Sequence, residues 1–146
     1  MDRVVVASAL LLLPVLTGCS EDDTRPPLPA GALAPGTIDI EMNGQPAVRS
    51  RDLSCTQITS FTTASSASGD SKLRAVVNNA AGLEVVSAEF TDVGGFTGSY
   101  ASNLQGKADA RLVGDSTIEI SGVADGFFVG HPEDQSTANF TVRFAC

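Results

Sequence analysis

Tryptophan is absent from this chain, tyrosine and histidine occur once each, and nine Lys and Arg are outnumbered by seventeen Asp and Glu. The shortage of basic residues sets the formal net charge at -8. A surface of that sign repels a polyanion, which excludes nucleic acid as a partner. Without Trp, and with Tyr100 alone, the chain lacks the aromatic platforms on which sugars stack. No window carries the period of an amphipathic helix. What is present is a chain of 146 residues with 14 Gly and a light apolar content of Val, Ile, Leu, Ala and Phe. That is enough for one turn-rich domain and an extension.

The extension comes first. Arg3 precedes an apolar stretch from Val4 to Leu16, which at about 1.5 Å per residue falls well short of a hydrocarbon core of about 30 Å. It reads as an export signal and not as a membrane span. Its end, Leu16-Thr17-Gly18-Cys19, resembles the bacterial lipobox. Small residues let a peptidase approach the backbone, and a thiolate is the nucleophile that accepts a lipid. Residues 1–18 are therefore predicted to be a cleaved lipoprotein signal peptide. Cys19 is predicted to carry the acyl chains, palmitate among them, that hold the protein on the extracytoplasmic side of the cell membrane.

The cysteine count agrees with this address. There are three, and an odd number in an exported protein leaves one thiol to explain. With Cys19 lipidated, Cys55 and Cys146 remain as a pair that an oxidising compartment can join in a disulfide; two buried free thiols are the alternative. From Cys19 to Gly36 the chain is acidic and then rich in Pro, at positions 26, 27, 29 and 35. Pro removes backbone donors and favours extended conformations, so residues 19–36 are expected to be a flexible linker without a packed element.

From Thr37 to Cys146 the apolar residues recur every second position. Ile38, Ile40 and Met42 alternate with Asp39 and Glu41, and Asn43-Gly44 supplies a hairpin turn. Leu73, Ala75 and Val77 form a second such face. Between Leu83 and Phe90 the apolar phase slips, from Leu83 and Val85 to Val86, Ala88 and Phe90, which predicts a β-bulge. Phe96 to Leu104 reads as the next strand. Ala108, Ala110 and Leu112 form another face, then Ile118 and Ile120 opposite Thr117 and Glu119. In the last strand Phe140, Val142, Phe144 and Cys146 share a phase, as Leu53 and Cys55 do, so both bridge partners are expected to face inward. The fold class is all-β: a single antiparallel β-sandwich or partly closed barrel over residues 37–146.

With these elements in order, the chain resembles the mycobacterial lipoprotein antigen family typified by LpqH. The likeness rests on the lipobox, the spacer, Ile38-Asp39-Ile40 with Asn43-Gly44, and Cys55. It continues through Leu83-Glu84-Val85-Val86-Ser87, Asp92-Val93-Gly94-Gly95, the run from Thr117 to Ala124, and Phe140 to Cys146. It implies a cell-envelope lipoprotein antigen without catalytic activity, recognised by host Toll-like receptor 2 through its acyl chains. Only Cys19 inherits a role from it. The spacer departs from the family pattern: Ser20, Thr24 and Thr37 replace a Thr/Ser-rich, mannosylated segment.

Candidate chemistry is sparse. His131 is followed by Pro132, Glu133 and Asp134, a surface loop in preference to a metal site. No Gly-x-Ser-x-Gly elbow accompanies it for a Ser-His-Asp triad. Gly94-Gly95-Phe96-Thr97-Gly98 lacks the Lys-Ser/Thr of a phosphate-binding loop. Thirteen carboxylates lie beyond residue 37, so a glycosidase-like pair is open by count. Arg49 and Arg51 read as a solvated strand face in preference to a binding edge, and Phe127-Phe128-Val129 as core in preference to an exposed partner or lipid contact. Neither catalytic residues, metal nor cofactor are expected. The expectation is a non-enzymatic envelope protein whose β domain interacts or has a structural role. The alternative is an envelope binding module holding an apolar ligand, which requires an enclosed pocket of about 300 Å³ or more.

Overall fold

The computed structural model describes residues 25–104 and 106–146. Ten strands follow one another: β1 (Thr37–Met42), β2 (Gln45–Ser50), β3 (Leu53–Ile58), β4 (Phe61–Ser68), β5 (Ser71–Asn78), β6 (Glu84–Val93), β7 (Phe96–Ala101), β8 (Ala108–Val113), β9 (Thr117–Phe128) and β10 (His131–Ala145). All pair antiparallel in one sheet of order β2-β1-β10-β9-β7-β6-β5-β4-β3, with β8 also on β9. The sheet coils into a nearly closed barrel whose two end strands, β2 and β3, are joined by the short connection at Arg51 and Asp52.

The alternation in the sequence produces this interior directly. Ile38, Ile40 and Met42 of β1, Leu73, Ala75 and Val77 of β5, and Phe140, Val142 and Phe144 of β10 all point inward and are buried. The rings of Phe90 and Phe140 meet at a centroid distance of 5.0 Å, and those of Phe96 and Phe128 at 5.3 Å. Asn43 and Gly44 both take positive φ, 52° and 75°, the values of the hairpin turn their sequence favours. The Asn43 side chain accepts a hydrogen bond from the Asn139 backbone N–H (2.9 Å), which ties this turn to β10.

The slipped phase in β6 is a bulge. Val77 pairs with Val85, but Val76 pairs with Ser87, leaving Val86 as the extra residue and returning Ala88 and Phe90 to the core. Strand β7 ends at Ala101, and Leu104 is exposed beyond it, shortening the strand expected to reach that residue. Likewise Leu112, near the end of β8, is exposed instead of buried.

Strand β9 is the spine of the molecule. One edge runs along β10; the other serves β8 over residues 117–122 and β7 over residues 125–128. The β7 contact is possible because Gly98 and Gly126 face each other in register. A Cβ added to Gly126 would lie 2.5 Å from the Gly98 Cα and closer still to the Thr97 carbonyl oxygen.

Two expectations fail on the outer face of β9, for one reason. Thr117 and Glu119, assigned by alternation to solvent, are buried. The segment assigned to a linker without packing covers part of this face: Leu33 is buried, and its N–H donates to Thr117 Oγ1 at 2.8 Å. Gly36 N–H donates to the Ala145 carbonyl at 2.7 Å. A single apolar side chain among Ala, Gly and Pro suffices to dock the segment because strand β9 offers it a polar anchor beside the β8–β9 turn.

Candidate functional site

Cys55 and Cys146 are joined in a disulfide, with Cα atoms 5.9 Å apart and a sequence separation of 91. The pairing expected from the cysteine count is present; the inward orientation is not. Both residues are exposed. Cys55 lies in an end strand whose residues beyond Leu53 are all exposed, and Cys146 follows the last residue of β10, so the bond clamps the rim of the barrel and does not cross its core. Cys19 and the predicted signal lie outside the described residues.

The charged groups that converge do so on the covered face of β9. Arg111 Nε donates to Glu119 Oε1 at 2.6 Å, Arg143 Nε donates to Glu119 Oε2 at 2.6 Å, and Arg143 Nη1 reaches Glu41 Oε1 at 3.1 Å. Cross-strand register builds this row, since Arg111 and Arg143 both sit opposite Glu119. Burial alone would raise the Glu119 carboxyl; the hydrogen bonds and charges of Arg111 and Arg143 outweigh it and hold the group below the usual carboxylate value. The same contact with Glu119 raises Arg143. Both carboxylate oxygens are thus occupied by cations, which suits a structural clamp and not a proton donor.

Because the folded value is depressed, this stabilisation is complete above the unfolded-state value and is lost as pH falls through the folded one. Glu119→Ala is expected to cost about 2 to 3 kcal/mol at neutral pH in urea unfolding, since it strands Arg143 without its main partner. The stability gap between wild type and Glu119→Gln should narrow as pH drops below about 4. A gap independent of pH would refute the clamp.

His131, Glu133 and Asp134 place potential ligand atoms within 4.8 Å of one another, and all three are exposed. They occupy the start of β10 beside the Phe128–His131 hairpin, so the expected surface position holds, although a strand and not a loop carries them. Phe128 packs half-buried against Phe96, while Val129 is exposed. Asn139 lies in β10.

The interior that an apolar ligand would need is occupied by Phe90, Phe96, Phe140 and Phe144 with their aliphatic neighbours. A hollow of about 790 Å³ lies instead on the surface, over one end of β3–β6, where Arg51, Asp52, Lys72, Arg74 and Glu89 line it. Arg49, read together with Arg51 as a solvated face, is exposed on β2 and lines a separate hollow of about 230 Å³. The larger groove escaped the sequence reading because its members come from separate strands. Only the register, Arg74 beside Glu89 and Lys72 beside Thr91, brings them together.

The family model described as Mycobacterium 19 kDa lipoprotein antigen matches residues 31–146. The chain belongs to this family. The match takes in the docked segment that carries Leu33 as well as all ten strands and both bridged cysteines. Among relatives of this 19 kDa antigen member, a protein of Mycobacterium indicus pranii named as a lipoprotein is 28% identical over 146 residues, 99% of each chain. A second protein named as a lipoprotein, from Mycobacterium avium subsp. hominissuis, is 40% identical over 60 residues, 41% of each chain. The resemblance expected from the order of motifs is thereby established, and with it the class of cell-envelope lipoprotein.

Proposed function

We propose that this 19 kDa antigen family member is held on the extracytoplasmic face of the cell membrane by acyl chains on Cys19, and that its β domain serves envelope structure or interaction without catalysis. The observation that carries the reading is the lipobox Leu16-Thr17-Gly18-Cys19 at the end of an apolar run too short to span, on a chain whose family is one of lipoprotein antigens. Residues 1–18 are the signal peptide removed on processing, and residues from Cys19 to the docked segment form the tether. The acyl chains are the part that Toll-like receptor 2 would recognise. Two or more chains are needed because each buried methylene contributes about 0.8 kcal/mol and one chain holds a protein only marginally. For the domain, the supporting observation is that its most buried carboxylate is clamped between two arginines.

Cys19→Ser is expected to abolish retention in the membrane fraction, and the amino-terminal peptide of the native protein is expected to carry acyl mass on Cys19. A Cys19→Ser chain that has lost its signal peptide and still sediments with membranes would sink the proposal.

A further inference from the structure

The groove over β3–β6 has an electrostatic character opposite to that of the chain. Beyond residue 37 there are thirteen carboxylates and seven Lys and Arg, yet three of those seven cations, Arg51, Lys72 and Arg74, line this one hollow. Among the described residues none of the three forms a salt bridge; Arg111 and Arg143 alone are paired. Asp52 and Glu89 share the lining without neutralising the cations at contact distance. At about 790 Å³ the space falls in the range of small-molecule sites.

We infer that the groove binds a phosphate-bearing polyol. Two guanidinium forks and an ammonium suit a phosphate. Asp52 and Glu89 are acceptors for the hydroxyls of its carbon skeleton. Recognition runs through charge and hydrogen bonding, as a chain without Trp requires. The shared chemistry occurs both in soluble sugar or glycerol phosphates and in phospholipid headgroups.

The test is nuclear magnetic resonance titration of the purified full mature protein in neutral detergent micelles. One arm adds glycerol 3-phosphate, one adds glycerol, and one dopes the micelles with phosphatidylglycerol. Saturable shifts confined to residues 51–54, 65–67, 72–74 and 89–91 are expected with the phosphate compound and not with glycerol. A response to doped micelles alone identifies the headgroup as the source, and a response to the soluble compound identifies the free phosphate. The exposed double variant K72E/R74E should weaken binding about tenfold or more. No shifts in either phosphate arm, or shifts that persist in K72E/R74E, overturn the inference.

Discussion

Replacing Cys55 and Cys146 together by Ser is expected to lower the free energy of unfolding by about 4 to 5 kcal/mol, the chain-entropy value for a closed loop of this size. The bridge spans 91 residues of separation and ties β3, at one end of the sheet order, to the close of β10 near the other. Both sulfurs sit at the exposed rim, so their removal leaves no cavity and the loss is dominated by the freedom regained by the unfolded chain. Urea unfolding of the oxidised protein and of the double variant measures it. Reduction of the wild type should reproduce the variant's midpoint. A loss below about 1 kcal/mol would mean that the denatured chain keeps the two strands close without the bond.

Gly126→Ala is expected to destabilise by at least about 3 kcal/mol, beyond the ordinary cost of strand overpacking. The obstacle is the Cβ itself, which would meet the backbone of β7 at Thr97 and Gly98. The neighbour is main chain, and relief requires β7 to leave β9, breaking the pairs from Phe96–Phe128 to Ser99–Asp125. Gly126→Val should therefore be little worse than Gly126→Ala. Gly130→Ala is the control: its Cβ would meet nothing within 4 Å, and a change within about 0.5 kcal/mol is expected. Thermal unfolding of the three variants decides it; a Gly126→Ala protein as stable as wild type would show that β7 and β9 separate without cost.

Most of the strand framework was legible because period-two burial is a local property. The β1, β5 and β10 faces, the Asn43-Gly44 turn and the bulge at Val86 each announce themselves within a few residues. What was illegible depends on partners distant in sequence. Alternation placed Thr117 and Glu119 in solvent because it knows two layers only, and the third is supplied by Leu33, 84 positions away. Cysteine counting found the bridge but not its orientation, since phase says little where an end strand has no cover on either side. The groove was hidden for a related reason: Arg51, Lys72 and Arg74 are ordinary polar positions until β3–β6 are aligned.

The docked segment around Leu33 also fixes where the chain leading from the amino terminus joins the barrel. The polypeptide enters beside Thr117, at the start of β9, and from there β9 runs eleven steps to Phe128, about 35 Å at the usual strand rise. The hairpin bearing Val129, Gly130 and His131 is therefore the end of β9 remote from that entry, and an anchor of the kind proposed at Cys19 would pull on the opposite pole of the barrel.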